Sequence, residues 1–125
     1  MLFRSFRKRR EAVLLCGDLN VDAGSDEYAV VHGLFGDGFV DLASADGLHS
    51  YDVARNDLAA MFHPGGPSRG RFDYIWASHG RFAARNVRTI LDEPLPDVCA
   101  PPPPHAARAF PSDHFGIGAT LDLLD

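Results

Sequence analysis

From Ala12 to Gly17 the chain is apolar without a break and ends in glycine, the pattern of a short strand buried on both faces. Asp18 to Gly24 is polar and reads as a loop, after which Ser25 is placed to cap a helix with Asp26 and Glu27 in its first turn. Tyr28, Val31, Leu34 and Phe35 then recur at helical spacing as far as Gly36, and Phe39 to Leu42 fits a short strand. The pattern weakens from Ala43 to Gly70, where Pro64, Gly65, Gly66 and Pro67 mark a turn-rich connection. Arg71 to Ser78 alternates cleanly, with Phe72, Tyr74 and Trp76 on one face and Asp73, Ile75 and Ala77 on the other. A turn at His79-Gly80 leads into the extended run Arg81 to Leu91, which predicts a hairpin with the preceding strand. Seven of the nine prolines fall between Pro94 and Pro111, giving a long irregular loop before a closing strand at Gly116 to Leu124.

A length of 125 residues suits one domain, and 46% apolar with 23% charged residues is ordinary globular composition. No apolar run exceeds five residues, which excludes a membrane-spanning helix in this sequence. The segment Leu2 to Glu11 reads as a basic helix end and lacks the apolar stretch of a signal peptide. Two cysteines, Cys16 and Cys99, form no framework and suit a reducing, cytoplasmic setting. Five of the twelve basic residues crowd into the first ten positions. Residues 11–125 then carry seven arginines against seventeen acidic residues, a net charge of −10. Such a body repels a phosphate backbone and favours hard cations such as Mg²⁺.

Three clusters place carboxylate or imidazole groups at predicted strand ends: Gly17-Asp18-Leu19-Asn20, Arg71-Phe72-Asp73-Tyr74 and Ser112-Asp113-His114. Singly, each has an ordinary structural reading as turn or surface, although a carboxylate on a half-buried strand needs a partner. In this order, Leu14 to Asn20 resembles the GDxN motif of the endonuclease/exonuclease/phosphatase (DNase I-like) superfamily. Arg71 to Ile75 resembles its R-I-D-Y strand, and Ser112 to Ile117 its S-D-H closing motif.

The resemblance implies an α/β fold. It corresponds to the C-terminal half, residues 12–125, of a four-layer α/β/β/α sandwich, with one mainly antiparallel or mixed sheet and a flanking helix. It implies catalytic roles for Asp18, Asn20, Asp73 and His114, with Asp113 and Asp18 as metal ligands and Mg²⁺, or Mn²⁺, as the ion. Cleavage of a phosphodiester needs these things together: charge neutralisation, a positioned water and hydrogen-bond donors. The Asn and metal-binding Glu of the family's first half have no counterpart before Ala12. The chain is therefore expected to be inactive alone, either as a truncated gene product or as one half completed by another polypeptide.

The stretch from His49 to Ala59 is similar to the S/T-x-D-x-x-x-N-x-L segment of neutral sphingomyelinase-like members. With the acidic body it favours a lipid headgroup over nucleic acid as the partner. A nuclease of the same fold and a non-catalytic fragment are the alternatives.

Overall fold

The structure, a computed structural model, describes residues 11–44, 47–96 and 108–124. The expected helix end at 2–10, the proline run 101–104 and Cys99 lie outside the described residues. The elements are β1 (Leu14–Asp18), α1 (Asp26–Phe35), β2 (Phe39–Asp41), β3 (Tyr51–Asp52), α2 (Asp57–Phe62), β4 (Arg69–Gly70), β5 (Asp73–Ser78), β6 (Phe82–Ile90) and β7 (Gly116–Leu123). They form three antiparallel sheets among the described residues: β1-β5-β2, the short pair β3-β4, and the ribbon β6-β7. The antiparallel, flanking-helix expectation holds. A single sheet does not.

The alternating stretch supplies the central strand, β5. Tyr74 and Trp76 are 2% and 1% exposed and face α1, where Tyr28 stacks on Tyr74 at 5.6 Å and Phe35 meets Trp76 at 4.7 Å. Phe39 completes this cluster, and Val13 and Leu19 pack against it. Phe72 departs from its expected face because β5 starts at Asp73, two residues later than the alternation suggests. The Phe72 amide donates to Ser50 Oγ (2.9 Å), and its ring packs against Tyr51 and His114. Ser25 caps α1 by accepting the Tyr28 amide, and Gly36 (φ 56°) ends it in a conformation that suits glycine.

A buried ion pair anchors the loop ahead of β5. Arg71 Nη2 donates to Asp41 Oδ2 (2.7 Å) while its guanidinium lies 4.6 Å from the Tyr74 ring. Tyr28 donates its hydroxyl to the same carboxylate (2.9 Å). Burial is the strongest single influence on Arg71 and disfavours its charge, but the hydrogen bond it donates to Asp41, that carboxylate's charge and the neighbouring Tyr28 and Tyr74 together outweigh it, and the pKa is raised. Tyr74 donates to the carbonyls of Arg71 and Val21, joining the β5 approach to the loop after β1.

Two expectations are corrected. The strand after Ala12 is not buried on both faces: every residue of β1 is exposed, Leu14 at 43% and Leu15 at 37%. Among the described residues it pairs only with β5, through Leu14↔Ala77 to Asp18↔Asp73, so no described strand occupies its outer edge. Nor do β5 and β6 form a hairpin. Both edges of β5 are already taken, by β1 and β2, so the turn at Gly80 (φ 72°) sends β6 away to pair with β7. β7 runs close to β5. With both edges filled and α1 over one face, that approach is to the opposite face. Gly116 starts β7 where a Cβ would come within 2.8 Å of Ile90 Cγ1, so a side chain there would push the ribbon apart.

Candidate active site

Asp18 ends β1 and turns the chain. Its Oδ1 accepts the Asn20 amide (2.8 Å), and Asn20 takes a left-handed conformation (φ 50°) that asparagine tolerates. In register with Asp18 across the ladder is Asp73, the first residue of β5. Asp73 Oδ2 lies 2.9 Å from His114 Nδ1, and Asp18 Oδ2 lies 4.0 Å from the same nitrogen. Donor atoms of Asp18, Asp73 and His114 all fall within 4.8 Å of one another. Three residues from positions 18, 73 and 114 thus meet at one end of the central sheet.

The remaining two expected residues stand beside this cluster. Asn20 lines a cleft of about 180 Å³ together with Tyr51, His63, Pro67, Phe72 and His114. Asp113 does not join Asp18 and Asp73. Its Oδ2 lies 3.3 Å from His63 Nε2, and its Oδ1 accepts from Ser112 Oγ (3.2 Å). Asp22, on the same loop as Asp18, accepts the Gly24 amide instead (3.3 Å).

What holds the cluster together is the segment from Ser50 to Asn56. Ser50, fully buried, accepts the amides of Phe72 (2.9 Å) and Asp73 (3.1 Å) on its Oγ, and its carbonyl accepts the Phe115 amide (2.6 Å). One residue therefore ties the start of the Asp73 strand to the residue after His114. Asn56, also fully buried, caps α2 by accepting from Leu58 and Ala59, while its Nδ2 donates to the Ser112 carbonyl (2.8 Å). The Ser-x-Asp-x-x-x-Asn pattern was visible in the sequence; its service as a clamp on the other two motifs was not.

Tyr51 floors the site. Its ring meets His114 edge-on at 5.4 Å, His63 at 5.9 Å and Phe72 at 5.6 Å. Burial, and then the Asp113 carboxylate, raise its pKa, so the phenol stays neutral. Sequence reasoning missed His63. Its only local signal is its position at the end of a helix capped by Asn56, just before the Pro64-Gly65 turn.

Chemically, the arrangement offers an imidazole oriented by a carboxylate, a second carboxylate within reach of the same ring, and an amide on the adjoining cleft wall. Among the described residues no helix is long and apolar enough to cross a membrane. No curated protein matches the chain. The model of the Endonuclease/Exonuclease/phosphatase family matches residues 1–114, a span that carries all three motifs and ends on the site imidazole itself. With most of its length matched and the motif residues converging as they do, the chain belongs to the Endonuclease/Exonuclease/phosphatase family.

Proposed function

We propose that the chain carries the site of a metal-dependent phosphoric diester hydrolase acting on a lipid headgroup ester, a sphingomyelinase-like phospholipase C chemistry. The observation that carries the reading is the convergence of Asp18 and Asp73 on His114 Nδ1. The acidic body and the Ser50–Asn56 segment support the lipid-headgroup side of it.

The donor set fits Mg²⁺ or Mn²⁺ in kind: two carboxylates are hard oxygen ligands, and Mg²⁺ commonly takes only one or two from protein. Asp73 is committed to His114, so Asp18, with a side chain 39% exposed, is the freer ligand. A bound ion supplies charge neutralisation at the phosphate and a more acidic water. The residues supply the rest. Asp73 holds the His114 tautomer with its proton on Nδ1, leaving Nε2 to exchange a proton with the leaving oxygen. Asp18 accepts a proton from the attacking water, and the Asn20 amide donates to a phosphate oxygen.

Among the described residues no glutamate enters the cluster. With a single uncommitted carboxylate the ion is held weakly. The chain alone is therefore expected to hydrolyse neither sphingomyelin nor a bis-aryl phosphodiester above background. On this reading a completing half of the domain would pair along the edge of β1 that no described strand occupies.

Mn²⁺ titrated into isotope-labelled protein tests the site. Paramagnetic broadening should start at Asp18, Asn20, Asp73 and His114, and supplying a half with the missing Asn and Glu should bring hydrolysis that His114→Ala abolishes. Broadening spread over the acidic surface would overturn the reading, whereas strong Mg²⁺-dependent turnover by the chain alone would overturn the expectation that it is inactive by itself.

A further inference from the structure

The cleft beside the cluster has a second imidazole that the hydrolytic reading leaves unused. His63 Nε2 faces Asp113 Oδ2 at 3.3 Å, just as His114 Nδ1 faces Asp73 Oδ2 at 2.9 Å. Both rings rest against the same buried Tyr51, and both line the cleft. His63 is the more open, its side chain 53% exposed against 17% for His114. Between the two imidazoles the lining is carbon-rich, from Phe72 and Pro67. The cleft is small. Its volume of about 180 Å³ lies below the roughly 300–1,000 Å³ of ordinary ligand pockets, which suits a compact group such as a small polyol.

We infer that this cleft is the subsite for the alcohol portion of the substrate, a small polyol esterified to the phosphate, and that His63 reads its free hydroxyl. The inference rests on the hydrolase reading above, which puts the phosphate at Asn20 and His114, and replaces sphingomyelin's choline by a polyol headgroup as the favoured substrate. In a neutral His63 ring the proton on Nε2 is donated to Asp113, so Nδ1 carries the lone pair and accepts a hydrogen bond. An acceptor on a cleft wall shared with Phe72 and Pro67 selects a ligand with a hydroxyl there over one with a methyl group. Asp113 acts through His63, as a positioning residue, by fixing which nitrogen is left free.

Two ligands that differ by little else separate the outcomes: sn-glycerol 3-phosphate and n-propyl phosphate, each titrated in the presence of Mg²⁺ into protein with labelled histidines. Glycerol phosphate should shift the resonances of both His63 and His114, whereas propyl phosphate should shift those of His114 alone. His63→Ala should weaken glycerol phosphate by about three- to tenfold, the value of one hydrogen bond, and leave propyl phosphate unchanged. His63→Gln, which restores an acceptor oxygen, should recover part of the loss. Neither change touches the backbone amide through which residue 63 caps α2. Equal affinity for the two ligands, or a silent His63 beside a responding His114, would overturn the subsite while leaving the hydrolase reading intact. A His114 that ignores both ligands would remove the two together.

Discussion

Removing one oxygen atom, in Ser50→Ala, tests how the site is built. Ser50 is fully buried, and its Oγ is the acceptor for two amides, Phe72 at 2.9 Å and Asp73 at 3.1 Å. Alanine fits the same space, so the change is electrostatic rather than steric. Each amide left without an acceptor costs about 1–3 kcal/mol. Because Phe72 and Asp73 are only half-buried and water relieves part of that cost, the total is about 2–4 kcal/mol. Against a small domain's usual stability of roughly 5–15 kcal/mol the loss is large. Urea unfolding followed by fluorescence is the assay, since Trp76 is the sole tryptophan and is 1% exposed in the aromatic core. A second readout is local: the proton between His114 Nδ1 and Asp73 should lose its protected NMR signal, because the freed amide is that of Asp73 itself. A serine on the surface, Ser44, provides the control, with Ser44→Ala expected to cost less than about 0.5 kcal/mol. If Ser50→Ala costs no more than the control and the His114 signal persists, the clamp is not what positions the pair.

Other perturbations address the rest of the structure. Asn56→Asp keeps the cap on α2 but turns the donor facing the Ser112 carbonyl at 2.8 Å into an acceptor. It should cost about 1–3 kcal/mol in denaturation while α2 stays helical by amide chemical shifts; a melted α2 would refute the division of labour. All three tyrosines, Tyr28, Tyr51 and Tyr74, have pKa values raised above 10.0, chiefly by burial. Folding therefore favours their protonated forms, a stabilisation complete below the ordinary value and lost as pH rises through the folded values. Tyrosinate absorbance should appear only together with unfolding, and its appearance near pH 10.0 in folded protein would contradict this. Asp92 behaves in the opposite sense: the hydrogen bond from Arg55 lowers its pKa below 3.8. Its contribution is present above that value and vanishes as pH falls through the folded pKa, so Asp92→Asn should flatten the acid limb of the stability curve below about pH 4.

Where the sequence was legible, the signal was periodic and the packing local. Tyr28 and Phe35 lie on one stripe of α1, Tyr74 and Trp76 on one face of β5, and the structure joins the two faces directly. Periodicity is silent about partners. It could show β6 as extended, but not that β1 and β2 would already fill both edges of β5 and turn β6 elsewhere. It marked Ala12 to Gly17 as apolar, yet apolar character does not tell a covered strand from an open one, and β1 is open. In the site, the residues that motifs carry were readable because their chemistry constrains type and order. Asp18, Asp73 and His114, each from a different motif, lie together, while Asp113 turns to His63. His63 escaped because a helix-ending histidine gains meaning only from a neighbour fifty positions later.

The ladder between β1 and β5 has a bearing on how the chain emerges from the ribosome. Leu14 pairs with Ala77, so the two strands are made 63 residues apart. At a synthesis rate of roughly 5–20 residues per second, β1 waits on the order of 3–13 seconds for its partner. During that interval Leu14, Leu15 and Cys16 have neither ladder nor covering layer, a short apolar strand with both edges free. The 54 residues between β1 and β5 are thus a delay as well as a connection. A nascent chain stalled before Tyr74 should present Cys16 to a thiol reagent as freely as an unfolded peptide does, and it should be most prone to association at that length.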